Sequence, residues 1–182
     1  MSHVAILGIT GRAGSRIATE LLGRQHTVTG IARNIGQASP QPGLSIKAAD
    51  VTDGKALAKL LEGHDVVVSS TRFVGGIDAP TLIAAAKQAG VKRVVVVGGA
   101  GSLEVAPGLA LIDTPEFPEI YKAEASAGGV FLQALRGETE LDWTFISPPA
   151  LFEPGQRTGH FRLGGDALLI DGSTDDLPLI DP

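Results

Sequence analysis

Val4-Ala5-Ile6-Leu7-Gly8-Ile9-Thr10-Gly11-Arg12-Ala13-Gly14 is the stretch on which the fold turns. Its first four residues are apolar without alternation, the pattern of a short strand buried on both faces of a parallel sheet. From Arg16 onward Ile17, Leu21 and Leu22 recur at helical spacing until Gly23, and Thr27–Ala32 then reads as a second strand. The unit is therefore strand, glycine turn, helix, strand. Glycines in such a turn allow a sharp reversal and a close approach of backbone to a pyrophosphate. The unpaired N–H groups and positive dipole end of the following helix attract the phosphates. A glycine-rich turn can also join strand to helix with no ligand at all. Here the flanking strand and amphipathic helix favour a bound dinucleotide, with Gly8, Thr10, Gly11, Arg12, Ala13 and Gly14 as its phosphate-binding residues.

The same alternation continues outward. Leu44–Ala48 fits a third strand, and Asp53 can cap a helix that turns Leu57, Leu60 and Leu61 inward, with Gly63 just past its end. Val66-Val67-Val68 gives a fourth strand, and Ala79–Ala89 a helix with Pro80 in its first turn and Gly90 after it. Residues 94–97 and 143–146 give a fifth and a sixth strand. The helix expected over Glu119–Arg136 contains Gly128-Gly129, each costing about 1 kcal/mol relative to alanine, so a kink or break is expected there. Residues 39–43 read as a surface loop, and 98–118 as a long irregular segment of the kind that usually carries function. The tail after Gly155 is rich in Gly and Asp and shows no second domain. The fold class is α/β, a Rossmann-type doubly wound parallel sheet with right-handed crossovers, in a single domain over residues 1–182.

Composition excludes several other classes. With 182 residues, 43% hydrophobic and 19% charged, the chain has the apolar material for one packed core. A formal charge of -5 gives no footprint for a polyanion, so no nucleic acid partner is expected. The absence of cysteine removes disulfides, thiolate catalysis and thiolate metal sites. No signal-peptide pattern opens the chain and its apolar runs are too short for a bilayer, so a cytoplasmic location without a membrane partner is expected. His3, His26, His64 and His160 lie in different elements without metal spacing, and no metal site is expected.

Cofactor preference is readable beyond the second strand. Where an acidic residue would hold the adenosine ribose of NAD, this chain has Ala32-Arg33-Asn34. A guanidinium there suits a 2′-phosphate, and Arg12 could add a second positive charge, which favours NADP(H) over NAD(H). Both arginines could equally be solvated surface residues. Asp50-Val51, just past the third strand, either meets the adenine amino group or belongs to a turn or helix cap.

Taken together, the turn from Gly8 to Gly14, Ala32-Arg33-Asn34, Gly63-His64-Asp65-Val66-Val67-Val68-Ser69, Gly90-Val91-Lys92-Arg93 and Gly98-Gly99-Ala100-Gly101-Ser102-Leu103 resemble the atypical short-chain dehydrogenase/reductases. Asp113-Thr114-Pro115 and Ser147-Pro148-Pro149 add to the likeness. Within that group the chain is most similar to NADH-flavin reductases, relatives of biliverdin reductase B and of NmrA-like proteins, over about residues 3–165. The resemblance implies that Ser69, Ser70 and Thr71 line the inner ribose and pyrophosphate. It also implies that the segment from Gly98 and Gly99 to Ser102 borders the nicotinamide, and that Ser147, Pro148, Pro149 and Ala150 close the far side. Ser102 is the implied polar group near a small-molecule acceptor, a flavin used as substrate; its alternative is a hydroxyl that stabilises its own loop.

Two features depart from that group. Its standard members place a Lys four residues after a Tyr, whereas Lys122 follows Tyr121 directly and the fourth residue on is Ala125. Tyr121 is then either a substrate-facing catalytic candidate or a half-buried tyrosine satisfied at its hydroxyl. Related sequences also run on with a further helix and strand, so a truncated chain or a diverged tail is expected, with the residues after about 155 completing or bordering the acceptor pocket. The expected activity is NADPH-dependent hydride transfer to a flavin. A non-catalytic NmrA-like dinucleotide sensor and an epimerase or isomerase are the alternatives, and the oligomeric state, monomer or dimer, stays open.

Overall fold

The computed structural model describes residues 1–36 and 41–170. Ser39 and Pro40 of the expected surface loop, and the end of the tail from 171, lie outside the described residues. In chain order the elements are β1 His3–Leu7, α1 Arg12–Gly23, β2 Thr27–Ala32, β3 Leu44–Ala48, α2 Gly54–Leu61, β4 Val66–Ser69, α3 Ala79–Ala89 and β5 Arg93–Val97. They continue with β6 Glu104–Ala106, β7 Leu109–Ala110, α4 Glu119–Arg136 and β8 Asp142–Ile146.

One six-stranded sheet in the order β3-β2-β1-β4-β5-β8 carries the fold. Its pairings are parallel, with Leu7 opposite Ile31 on β2 and opposite Ser69 on β4. Strand β8 runs the same way beside β5, since Asp142 N–H donates to Lys92 O and Gly98 N–H to Ile146 O. This is the Rossmann-type doubly wound α/β class expected from the sequence. The order reverses at β1, whose neighbours are β2 on one side and β4 on the other, and ligands bind outside the carboxyl ends of strands at such a point.

The first compact unit, Met1–Val97 with Phe131–Phe145, holds the core. Side chains that alternate along β1 feed two clusters. Ala5 and Leu7 join Leu57 and Leu61 of α2, Leu82 and Ala86 of α3, and Phe131 and Leu135 of α4. Val4 and Ile6 join Ala18, Ile17, Leu21 and Leu22 of α1 on the other face. Burial on both faces explains the uninterrupted apolar run. Helix ends follow local chemistry, at Asp53 and Gly90 as expected and at Asp78 in addition. Asp53 Oδ1 accepts from the N–H groups of Lys55 and Ala56, Asp78 caps α3 through Thr81 N–H, and Gly90 closes α3 at φ 77°.

The second unit comprises Gly98–Val130 and the described residues from Ile146 onward. Two expectations are corrected here. Helix α4 continues without interruption through Gly128-Gly129, because burial along the helix, with Gly128 itself buried, outweighs a propensity cost of about 1 kcal/mol per glycine. Residues 98–118 are not irregular throughout. They contain 3₁₀ turns at Ala100–Ser102 and Leu111–Asp113 and an antiparallel hairpin of β6 and β7, turned at Gly108 with φ 76°.

Candidate functional site

The glycine turn sits at the switch point, and its three glycines have different tasks. Gly8 adopts φ 84°, a left-handed conformation that only glycine takes up without strain, and a Cβ on it would stand 2.8 Å from Ser70 O. Gly14 is buried so tightly that a Cβ would collide with Gly8 O and lie 2.6 Å from Ser70 Oγ. A Cβ on Gly11 would meet only Gly8 O at 3.2 Å and Ser70 O at 4.0 Å. Gly8 and Gly14 therefore let the turn close on itself and on the end of β4, while Gly11 is the least confined of the three, with only Gly8 O in tight reach of a Cβ.

Gly11 is also the N-cap of α1, with φ -75° and ψ 163°. Having no side chain, it offers no capping acceptor, and α1 has no acidic residue in its first turn. The first helical amide to bond within the protein is Ser15 N–H, to Gly11 O at 3.0 Å. Among the described residues nothing accepts from the amides of Arg12, Ala13 and Gly14. A helix end with free donors, no competing carboxylate and a cradle that a Cβ would fill fits the phosphates of a dinucleotide. Thr10, exposed at the turn, and the exposed side chain of Arg12 flank those donors.

Arg33 is exposed directly after buried Ala32 at the end of β2, and its charge acts on Asp50. Asp50 Oδ1 accepts from Thr52 N–H at 3.0 Å and from Thr52 Oγ1 at 2.8 Å. The amide bond, then the hydroxyl bond, holds the carboxyl below its ordinary value against the opposing effect of desolvation, and Arg33 lowers it further. Of the two readings of Asp50, the turn is what the structure displays. Val51 is 8% exposed and packs in the core, so only its main chain can face a ligand.

After β4, the hydroxyls of two serines are engaged inside the protein. Ser69 is buried with its Oγ 3.4 Å from Thr71 Oγ1, and Ser70 Oγ donates to Leu7 O at 2.8 Å. Ser69, Ser70 and Thr71, expected to line a cofactor's inner ribose and pyrophosphate, lie at and just past the carboxyl end of β4, with Ser69 buried and Ser70 and Thr71 half-buried. Sequence reasoning missed Gly76. A Cβ there would collide with Arg72 O and approach Thr71 Oγ1 to 3.2 Å, so Gly76 sets the path of the loop that carries Thr71. The pair Gly75-Gly76 was its visible signal. Phe73 of the same loop is anchored against Phe131 and Phe145, at ring separations of 5.3 Å and 6.0 Å.

In the second unit, Gly98 N–H donates to Ile146 O at 2.7 Å and Gly99 caps the turn Ala100–Ser102. Gly101 is buried where a Cβ would lie 2.7 Å from Ala125 Cβ of α4. The Ser102 hydroxyl is half-buried and has no hydrogen-bond partner among the described residues, so it does not stabilise its own loop. Tyr121 is 61% exposed and its hydroxyl is likewise unpartnered, which corrects the half-buried, satisfied tyrosine of the sequence reading; it lies in the exposed first turn of α4. Lys122 Nζ lies 2.7 Å from Glu119 Oε2, an ion pair that leaves Tyr121 without a lysine partner from its own turn. Pro148 is half-buried beside buried Pro149, and Ala150 is exposed. The tail docks on β6, where Glu104 N–H donates to Asp166 O and Leu168 N–H to Glu104 O, both at 2.8 Å. Residues after 155 thus border the strand that follows Ser102.

Among the described residues no three His, Asp or Glu side chains are grouped to hold a metal ion, and no helix is long and apolar enough to cross a membrane. His64 bridges Leu61 O and Thr29 Oγ1, and His26 Nδ1 accepts from Ser2 N–H, both structural uses.

Comparison with known proteins agrees with this geometry. A family model described as NAD(P)H-binding matches residues 8–175. A Burkholderia pseudomallei crystal structure named "putative exported protein" is 46% identical at a TM-score of 0.83, over 94% of this chain and 84% of that one. A "putative epimerase" from Bacteroides thetaiotaomicron is 37% identical at a TM-score of 0.88, over 94% of this chain and 82% of the other. A "putative NADH-flavin reductase" from Streptococcus pneumoniae is 30% identical at a TM-score of 0.81, over 94% and 84%.

Proposed function

This chain belongs to the NAD(P)H-binding family, and from that premise we propose that it is an NADPH-dependent oxidoreductase that passes hydride to a free flavin. The observation that carries the reading is the start of α1: three unpartnered amides, no capping side chain and no first-turn carboxylate, placed at the switch point of the sheet. The amides of Arg12, Ala13 and Gly14 hold the pyrophosphate. Arg33, with Arg12, takes the 2′-phosphate that distinguishes NADPH from NADH.

Held by the amides of Arg12, Ala13 and Gly14, a dinucleotide would supply a hydride to a flavin acceptor, with solvent supplying the accompanying proton. For its part, the chain holds the donor through the amides at the start of α1. No proton donor is required of it, because a flavin spreads the incoming charge over its rings, whereas a carbonyl would concentrate it on one oxygen. The exposed Tyr121, with Lys122 paired to Glu119, accords with donor-free chemistry. Ser102 has a free hydroxyl to orient the acceptor. The similarity to a protein named as an NADH-flavin reductase supports the same acceptor class. We place the activity in the cytoplasm, without nucleic acid or membrane partners.

Steady NADPH oxidation in the presence of FMN or FAD tests the reading. Turnover that needs flavin and exceeds turnover with NADH supports it. A protein that binds NADPH tightly and leaves it unchanged with every acceptor would be a dinucleotide sensor, and the proposal would be wrong.

A further inference from the structure

We infer that Ser70 is a positioning residue for the phosphate-binding turn, acting through Gly8 and Gly14 rather than by touching the dinucleotide. Ser70 is the first residue past β4, directly beside the end of β1. Its N–H donates to Leu7 O at 2.9 Å, and its Oγ donates to the same carbonyl at 2.8 Å. Gly8 O lies 3.4 Å from that Oγ, and its own near donor is Gly11 N–H at 2.9 Å. A hydroxyl carries one proton, so the shorter bond to Leu7 O holds it and Gly8 O is a secondary contact.

Each glycine that closes the turn closes it on this serine. The Cβ that Gly8 lacks would meet Ser70 O, and the one that Gly14 lacks would meet Ser70 Oγ and Gly8 O. Ser70 thus fills the angle between the end of β1, the left-handed Gly8 peptide and the first turn of α1. Its hydrogen bond fixes the peptide from which the turn starts, and so the direction of the amides at Arg12, Ala13 and Gly14. A larger side chain has no room there, and alanine would fill most of the space and keep the backbone bond to Leu7 O while losing the second bond, from the hydroxyl, to that carbonyl.

This inference deepens the proposed function and rests on it for the ligand, while its structural half can be measured without one. Ser70→Ala should leave the melting temperature close to wild type and raise hydrogen exchange selectively at Gly8, Gly11 and Ser15, whose amides bond to Ile31 O, Gly8 O and Gly11 O. Titrated with NADPH and with NADH, it should bind both roughly threefold to tenfold more weakly, the worth of one ordinary hydrogen bond, with their ratio unchanged because the pyrophosphate is common to both. Unchanged exchange at those amides would overturn the assignment. So would exchange raised evenly across the sheet, which marks a general loss of stability, or a changed NADPH to NADH ratio, which marks contact at the 2′-phosphate. If the wild-type chain binds neither cofactor, the dinucleotide reading fails and with it the ligand half of this inference, while the exchange pattern alone decides whether Ser70 holds the turn.

Discussion

Replacing Gly14 and Gly11 by alanine, one at a time, should separate folding from binding within a single turn. A Cβ on Gly14 runs far inside contact distance of Gly8 O and also of Ser70 Oγ, and since Gly8 O is a backbone atom that accepts from Gly11 N–H, no rotamer change or small shift relieves the contact. Overpacking of this kind costs about 1–3 kcal/mol. For a chain of this size each kcal/mol lowers the melting temperature by roughly 2–4 °C, so Gly14→Ala should melt about 2–12 °C below wild type. Gly11 differs, since its φ of -75° and ψ of 163° suit any residue and its nearest obstacle, Gly8 O at 3.2 Å, must yield by only a few tenths of an ångström. Gly11→Ala should therefore melt close to wild type, with Gly11→Val as a bulkier companion. Either side chain occupies the space beside the Arg12, Ala13 and Gly14 amides. Loss of one charge-assisted hydrogen bond there is worth about 1.5–3 kcal/mol, a tenfold to hundredfold weakening of dinucleotide binding. Thermal melts read the first effect and fluorescence titration with NADPH the second. The reasoning is refuted if Gly14→Ala melts with wild type, or if Gly11→Val binds NADPH unchanged.

Arg33→Ala should weaken NADPH at the lower end of about 1.5–3 kcal/mol, because the side chain is solvent-exposed, and leave NADH nearly untouched; equal losses for both, or a wild-type preference for NADH, would remove the 2′-phosphate assignment. Tyr121→Phe should keep most flavin-dependent NADPH oxidation at unchanged cofactor affinity, and a thousandfold fall would point to a carbonyl acceptor that needs a proton donor worth roughly 10²–10⁴-fold. Lys87 bridges Glu140 at 2.7 Å and Glu138 at 2.9 Å, tying α3 to the approach to β8. The Glu140 amide first, and then Lys87, holds the Glu138 carboxyl below its usual 4.5, so its stabilisation is present above that value and is lost as pH falls through the lowered one. Glu140 first, then Glu138, raises Lys87 above 10.5, so its contribution persists below 10.5 and is lost only as pH rises through the raised value. Lys87→Gln should accordingly flatten the alkaline limb of a melting-temperature profile against pH and the acid limb only in part, since the Glu140 amide still holds Glu138; an alkaline limb as steep as in wild type would show that Lys87 does not couple folding to protons.

The fold was legible wherever one local rule acted alone. β2, β3, α3 and the helix ends at Asp53 and Gly90 follow from short apolar runs and from residues whose chemistry ends a helix, and the structure has them at those positions. Where two rules competed, the reading held only in part: the helix over Glu119–Arg136 stands, and the kink or break at its glycines does not. Gly128-Gly129 weighs against helix by propensity, but α4 gains more from burial than the glycines cost, and burial is a property of the assembled sheet that no window of sequence contains. The hairpin of β6 and β7 was missed for a related reason. Its strands are three and two residues long and mostly exposed, so they leave no alternating pattern, and the bridge to Ala167 that extends them joins residues far apart in the chain.

For the site the boundary falls between residues that contact and residues that support. The glycine turn could be read because its chemistry requires residue types at fixed spacing, and Arg33 because an expected carboxylate was missing. The separate tasks of the three glycines could not be read, because the motif gives all of them the same letter and only the end of β4 distinguishes them. Ser70 shows why: it touches Leu7, Gly8 and Gly14 across a sequence gap that a one-dimensional motif does not bridge. The same gap hides what the hydroxyls of the serines after β4 bond to inside the protein. A hydroxyl at the carboxyl end of a central strand has two neighbours to serve, the ligand and the adjacent strand's last carbonyl, and in this chain the carbonyl takes it. A turn that binds phosphate through backbone amides depends on how rigidly its first peptide is held, so under the proposed function Ser70, through its bond to Leu7 O, constrains the geometry of the amides at Arg12, Ala13 and Gly14.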